Sequence, residues 1–363
     1  MRVPLSGLRR VEGNYRSSSR PVNIAVDAMG GDYGPAVVVE GAVAAAREDR
    51  LAVVLVGDRS AVESELARHR AGDLPISVRH ASQVVGMAES PSQAVRRKRD
   101  SSLRVAAELV KDGEAAAFVS AGNTGAAMAI GMFVLGVLPG VDRPAIAVLL
   151  PSLTGYTVLI DAGAIVDPKP RHLVQFAVMG HCYAKDILGK ARPRVGLLSV
   201  GEEEGKGNEL TKEVFDELKG SSLNFIGNVE GRDIYNGNCD VVVTDGFTGN
   251  VALKISESLV ETLAAMIKAE LGRDLRSRLG ALLSRPAFAR FKKRVDYTEC
   301  GGAPLLGING AAIICHGTSP PKAIKNAIRV AAECVQRNVN EHIKVALEDE
   351  ALLAREGREG GHE

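Results

Sequence analysis

Short runs of aliphatic and β-branched residues recur along the chain, separated by longer stretches with helical spacing. Ten of them read as strands: 22–26, 52–56, 76–78, 116–119, 145–149, 157–160, 195–200, 224–226, 241–244 and 311–315. Most are continuously apolar rather than alternating. Strands of that kind are covered on both faces, so the pattern predicts an α/β fold, a three-layer αβα Rossmann-like arrangement around a mainly parallel sheet. The longest apolar run, 126–138, ends at Pro139 and is followed by Asp142 and Arg143. It is shorter than the roughly 20 residues a membrane span needs and reads as a buried helix. Two further stripes have helical spacing: Leu259, Leu263, Met266, Ile267 and Leu271, then Leu275, Leu279, Leu282 and Leu283. They predict a protruding helical hairpin over 258–295, with breaks at Gly272 and Pro286.

The turns that leave the strands are as regular as the strands. DAMGGD, SAGNTGA, DAGA, GEEEGKGNE, GNVEGRD, DGFTGN and HGTS each come directly after an apolar run. In open α/β sheets ligands bind at the carboxyl ends of strands, and this reading puts all seven turns around one shared site. SAGNTGA opens an apolar helix, so Gly122 lets the backbone approach a ligand while Asn123 or Thr124 caps. The helix start then offers free N–H groups to an anion, beside Ser120. DGFTGN repeats the form with Asp245, Gly246, Thr248, Gly249 and Asn250, and places Lys254 about a turn inside its helix. Gly30, Gly31 and Asp32 make a third such turn. Lys206 stands among carboxylates in GEEEGKGNE, and Glu204, Asn208, Asn228 and Glu230 join it as substrate-binding candidates by the same placement. His316, between a strand and GTS, is a lone candidate of a type that also serves purely structural ends.

Composition narrows the classes. Of 363 residues 45% are apolar and 25% charged, with 45 basic against 44 acidic, which argues against a nucleic-acid binder. Trp is absent and aromatics are only 4%, which disfavours base-stacking platforms. Cys182, Cys239, Cys300, Cys315 and Cys334 are odd in number and widely spaced, so a reducing, cytoplasmic setting fits better than a disulfide framework or a zinc ribbon. The seven His form no metal-ligand spacing, so neither a metal nor a cofactor is expected. Residues 1–20 lack an apolar core and read as a disordered basic tail, with a transit peptide as the alternative. Residues 21–340 read as the α/β unit, and 347–363 as a charged, frayed tail. Within the balanced whole, 268–294 carries nine basic residues against two acidic ones. Arg276, Arg278, Leu282, Leu283, Lys292, Lys293 and Arg294 are therefore expected to meet an acidic protein or an anionic membrane, the competing reading being a dimer core.

Standard catalytic motifs are missing. There is no GxSxG, and GEEEGKGN has three residues between its glycines and Gly207 where a P-loop needs Ser or Thr. The blocks that are present resemble the PlsX family of phosphate acyltransferases. They are IAVDAMGGD, SPSQAVRRKRDSSL, FVSAGNTGA, DRPAIAVLLP, KPRHLVQFAVMG, GLLSVGEEEGKGNELTKE, NFIGNVEGRDI, DVVVTDGFTGNVALK, GGAPLLGINGAAIICHG and KAIKNAI, in family order from about 23 to about 338. The resemblance implies a fold similar to phosphotransacetylases and to the isocitrate/isopropylmalate dehydrogenase group. It also implies conversion of acyl-[acyl carrier protein] and orthophosphate to acyl phosphate and free carrier protein. The product would pass to a membrane glycerol-3-phosphate acyltransferase of phospholipid synthesis. A homodimer attached peripherally to membrane is implied as well. Three positions depart from the family: Ile165 where Asn is usual, Cys300 for Tyr, and Tyr33 for His.

The chemistry needs no metal: phosphate attacks the thioester directly and the thiol leaves with little acid help. The open tasks are holding phosphate and stabilising the oxyanion. Backbone N–H groups after Gly122 and Gly249 suit the first, Asn123, Asn250 or Lys206 the second, and Asp245 and Asp27 suit orienting the donors. Two alternatives remain open: a phosphotransacetylase-like transferase using acyl-CoA, and a non-catalytic carrier-protein or membrane scaffold.

Overall fold

The computed structural model describes residues 22–359. The basic segment 1–20 and residues 360–363 lie outside the described residues. In chain order the strands are β1 (Asn23–Asp27), β2 (Ala52–Gly57), β3 (Ile76–His80), β4 (Ala117–Ser120), β5 (Ala145–Ser152), β6 (Gly155–Ile160), β7 (Val195–Leu198), β8 (Phe225–Val229), β9 (Val241–Val243), β10 (Ala303–Leu306) and β11 (Ala311–Ile314). The helices are α1 (Gly34–Glu48), α2 (Arg59–Arg68), α3 (Pro91–Arg97), α4 (Ser102–Lys111), α5 (Thr124–Val134), α6 (Pro170–Leu188), α7 (Glu209–Lys219), α8 (Asp233–Asn236), α9 (Gly246–Leu271), α10 (Leu275–Val295), α11 (Pro321–Gln336) and α12 (Val339–Glu359). All ten expected strands form. The strand that the pattern did not reveal is β10, whose APLL is short, carries Pro304 and is enclosed by glycines.

The eleven strands form one sheet in the order β3-β2-β1-β4-β11-β10-β5-β6-β9-β7-β8. Its backbone polar groups pair within the ladder, so the continuous apolar runs can be buried between helical layers. Phe118, Ile160 and Val241 are fully buried there. The sheet consists of two parallel blocks of opposite polarity. β3, β2, β1, β4 and β11 run together, then β10 is antiparallel to both β11 and β5, and β6 is antiparallel to β5. β6, β9, β7 and β8 are again mutually parallel.

This topology corrects the single shared edge. The turns after β1, β4 and β11 leave one end of the strands, and those after β6, β7, β8 and β9 leave the other. Hydrophobic pattern gives a strand but not its direction, which is why the split was invisible.

The hairpin exists but is longer than expected. α9 starts at Gly246 and is continuous to Leu271, and Asp274 caps α10 through Ser277 N at 2.9 Å. Gly272 ends α9 as expected, but α10 passes through Pro286 without a break. Proline removes one N–H from the helical ladder, and on this exposed helix the orphaned carbonyl is open to water. Residues 347–359 of the expected charged tail are helical. α12 continues to Glu359, anchored by buried Val339, Ile343 and Leu347 one turn apart.

Gly249 fixes how α9 meets the sheet, since a Cβ there would overlap Asp161 O. Gly280, in α10, has open space around it. Gly249→Ala should lower unfolding free energy by at least ~1–3 kcal/mol through overpacking. Gly280→Ala should raise it by about 0.5–1 kcal/mol through helix propensity. Urea unfolding of the two variants checks both signs.

Candidate active site

The first group of turns is knitted around Asp27. Ser120 Oγ donates to Asp27 Oδ2 at 2.7 Å, Gly122 N donates to Ser120 Oγ at 3.0 Å, and Met29 N donates to Asp27 Oδ1 at 3.2 Å. Asp27 is buried, which pushes its carboxyl up, while the Ser102 and Ser120 hydroxyls and the Met29 and Gly30 N–H groups pull the other way. A Cβ on Gly30 would strike Asp27 Oδ2 and Gly122 N, so only glycine lets the two turns approach. Asp32 N donates to Gly317 O at 2.9 Å, which adds the turn after β11.

α5 begins inside this group. Asn123 is its cap: Oδ1 accepts from Ala126 N at 2.9 Å. Its Nδ2 donates to Met87 O at 2.8 Å and Glu89 O at 2.9 Å, fastening a neighbouring loop. Both ends of the amide are thus committed, and Asn123 is corrected from an oxyanion donor to a cap and anchor. Gly122 N–H is likewise committed to Ser120. Among the described residues the N–H groups of Asn123, Thr124 and Gly125 have no partner, and Thr124 is exposed. Three free donors at the positive end of a helix form a cradle for an oxyanion.

The second group centres on Asp161. Its carboxylate accepts from Ile146 N at 3.0 Å, Gly163 N at 3.1 Å, Ala164 N at 2.9 Å and Ile165 N at 2.7 Å. Burial pushes this carboxyl up to about 6, while those four hydrogen bonds pull the other way. Gly246 N donates to Ile165 O at 2.9 Å, so the DAGA and DGFTGN turns interlock. Ile165 acts here through its backbone, so its departure from Asn does not disturb the scaffold. Asp245 caps α9, accepting from Thr248 N at 2.8 Å and Thr248 Oγ1 at 2.7 Å. Gly249 N donates to Asp245 O, and Phe247 N is left as the free donor of this turn. The α9 start is therefore mostly satisfied and carries a carboxylate, which corrects the expectation that N–H groups after Gly249 hold phosphate. Asn250 lies beside Gly163, and its amide makes no hydrogen bond among the described residues.

The GEEEGKGNE turn closes onto its neighbours through its acids, not its lysine. Glu202 pairs with Arg232 at 2.7 Å and Glu204 with Lys219 at 2.9 Å. Asn208 caps α7 through Thr211 N at 2.9 Å. Asn228 is buried and donates to Glu203 O at 2.9 Å, while its Oδ1 has no partner among the described residues. Glu230 sits 3.5 Å from Arg232. Lys206 is exposed and forms no ion pair among the described residues. Of the candidates in this second group, Lys206 and Asn250 are thus the ones whose polar ends stay available, with exposed Lys254 further along α9.

α9 spans between the groups. Glu257 lies eleven residues beyond Gly246, roughly 16 Å at 1.5 Å per residue. Glu257 Oε1 is 3.1 Å from His316 Nε2, and Tyr297 packs edge-on against the same ring at 6.0 Å. His316 therefore has a carboxylate partner on α9, which the sequence could not show because 59 residues separate them. Asp27 and Asp161 show a common signal after the fact: an acid closing a fully apolar strand, IAVD and VLID. Burial pushes the Cys300 thiol up to about 11, so it packs as a neutral group beside Tyr156.

Among the described residues no cluster of His, Cys, Asp or Glu could hold a metal ion. Among the described residues no helix is long and apolar enough to cross a membrane. The hairpin basic residues divide. Arg294 Nη2 donates to Ser152 O and Leu153 O at 2.6 Å each, and Arg278 Nε to Gly272 O at 3.0 Å. Those two guanidinium groups brace the hairpin while both residues stay exposed. Arg276, Lys292 and Lys293 remain exposed and form no ion pair among the described residues.

A family model described as fatty acid synthesis protein matches residues 22–342. The chain is 57% identical over 328 residues to the phosphate acyltransferase of Geotalea daltonii, covering 90% of this chain and 95% of that one. With the phosphate acyltransferase of Geobacter sp. strain M21 it shares 61% over 319 residues, 88% of this chain and 91% of the relative. In fold it is similar to a phosphotransacetylase from Streptococcus pyogenes, with TM-score 0.60 at 17% identity over 87% of this chain and 94% of that one. The EutD phosphotransacetylase from Staphylococcus aureus gives TM-score 0.57 at 15% identity over 87% and 94%.

Two variants test the scaffold. Asp161→Asn places an amide nitrogen among N–H donors and should cost about 2–4 kcal/mol in urea unfolding, an expectation drawn from buried unsatisfied or unpaired groups. Asn123→Ala should cost about 1 kcal/mol through lost capping. It should also raise hydrogen exchange across 84–90, the loop its amide holds.

Proposed function

This chain belongs to the phosphate acyltransferase family of fatty acid and phospholipid synthesis, and on that premise we propose that it moves a long acyl chain from an acyl carrier protein to orthophosphate. The observation that carries the reading is the free first turn of α5: three unpartnered N–H groups and the exposed Thr124 hydroxyl, with no local base-activated serine or cysteine. Such a cradle holds a phosphate without a counter-cation. One phosphate oxygen attacks the thioester carbonyl carbon, a C–O bond forms, and the tetrahedral oxyanion collapses with loss of the C–S bond. The thiolate takes up a proton and leaves on the carrier.

The Lys206 ammonium and the Asn250 amide act as donors to the oxyanion. They start from the opposite strand ends to the α5 cradle, so the sheet must bring them round. Adjacent strands are rotated by roughly 20–25°, and the five steps from β4 to β9 and the six to β7 accumulate about 100–150°. That rotation turns opposed strand ends toward one another and supports a single cleft flanked by α9. Asp27 and Asp161 act through the backbone turns they hold, not on substrate.

The α9–α10 hairpin supports the further reading of a homodimer attached to the membrane surface. α10 has no buried residue, and Leu282 and Leu283 are 63% and 76% exposed. An apolar stripe of that extent on one chain calls for a cover. The stripe lies beside Arg276, Lys292 and Lys293, a combination that suits an anionic lipid surface. The acyl phosphate product is released there, within reach of a membrane-bound consumer.

Turnover should require orthophosphate, survive chelators and yield a product trapped by hydroxylamine. Phosphate-independent hydrolysis as the sole activity would overturn the reading. Lys206→Ala or Asn250→Ala should lower kcat by on the order of 10²–10³-fold if each supplies an oxyanion donor. Thr124→Ala should mainly raise the KM for phosphate. With acyl-CoA in place of acyl carrier protein, the rate should fall.

For the hairpin, Leu282→Glu with Leu283→Glu should abolish binding to anionic vesicles and leave a dimer in sedimentation. Dissociation to monomers would assign the stripe to the dimer core instead.

A further inference from the structure

SPSQAVRRKRDSSL supplied none of the cleft residues named above, yet it lies against them. Its helix, α3, starts where Pro91 Cγ would be 2.8 Å from a Cβ on Gly125, in the first turn of α5. The loop before it is held by Asn123 through Met87 O and Glu89 O. Met87 Cε in turn would lie 2.6 Å from a Cβ on Gly317, in the turn after β11. This segment is therefore one wall of the α5 cradle.

The charges on that wall are unevenly used. Glu89 is paired with Lys98 at 2.6 Å, and Lys98 also donates to Val84 O. Asp100 accepts from both the amide and the hydroxyl of Ser82. Both acids of the segment are thus committed. Arg96, Arg97 and Arg99 are exposed and form no ion pair among the described residues. Val84 and Met87, in the loop that Lys98 ties to this run through Val84 O, are 40% and 42% exposed. A short helix of seven residues, about 10 Å long, separates the arginines from the cradle.

We propose that Arg96, Arg97 and Arg99, with Val84 and Met87, form the docking surface for an acidic carrier protein, which delivers its thioester arm to the α5 cradle. The inference rests on the carrier-protein reading above. Exposed arginines next to a methionine make the mixed polar and apolar surface that protein partners use. The patch lacks the long apolar stripe that lipid attachment needs, and the hairpin has that stripe. Arginine also pairs with carboxylates in two-pronged geometry.

The test combines Arg96→Glu, Arg97→Glu and Arg99→Glu, with the corresponding triple Gln variant as a milder second form. Binding of fluorescently labelled acyl carrier protein is followed by anisotropy, alongside steady-state kinetics and vesicle sedimentation. The Glu triple should weaken carrier binding and raise its KM by on the order of tenfold or more, leaving kcat and vesicle binding unchanged. The Gln triple should lie between it and the parent, and its affinity should depend less steeply on salt. Thermal melting confirms that the variants fold. Carrier binding within twofold of the parent overturns the proposal. So does a kcat loss with unaltered binding, or an equal loss of affinity in Lys292→Glu with Lys293→Glu. If the parent protein itself neither binds nor turns over acyl carrier protein, the underlying substrate reading fails as well, a result distinct from the others.

Discussion

A carboxylate taken out of water must find its hydrogen bonds inside the protein, and Asp161 meets that demand with four consecutive or cross-strand backbone N–H groups. The conformation of the DAGA turn results from it. So does the position of α9, whose Gly246 and Gly249 are pressed against that turn too closely for any side chain. Asp27 performs the matching task on the other half of the sheet, holding Ser120 and thereby Gly122. Each acid gives a fixed shape to the turn from which a helix departs, and α5 and α9 inherit their directions from them.

The two starts then differ in what they offer. Asp245 fills the first turn of α9 with its own carboxylate and uses the Thr248 hydroxyl, leaving little for an anion. At α5 the cap is a neutral amide and the next donors stay free. The difference between an acidic and a neutral cap separates a satisfied helix start from one with free donors, though both turns carry the same glycine-rich outline.

α9 joins these local devices to the rest of the molecule. It begins on the Asp161 turn, passes Glu257 to His316 in the other group, and continues into a hairpin whose partner helix is exposed along its length. A single rigid element thus links the cleft to the surface that needs a cover. The opposed polarity of the two strand blocks makes such a link necessary, since no one strand end reaches both groups.

The sequence alone determined the strands, because continuous apolar runs such as Ala117–Ser120 must be buried on both faces, and it narrowed the cap of α5 to Asn123 or Thr124, because short polar side chains cap locally. Ordered family motifs also carried the family. It did not reveal β10, whose four residues include a proline and take their extended form from pairing with β5 and β11. Nor did it show that Asn123 spends its amide on Met87 and Glu89, that Glu257 faces His316, or that three arginines of the RRKR run are left unpaired. Those facts depend on which distant segments come together. Only the tertiary structure decides which donors are consumed and which remain, because a hydrogen bond needs both partners within about 3 Å and hydropathy records only one of them.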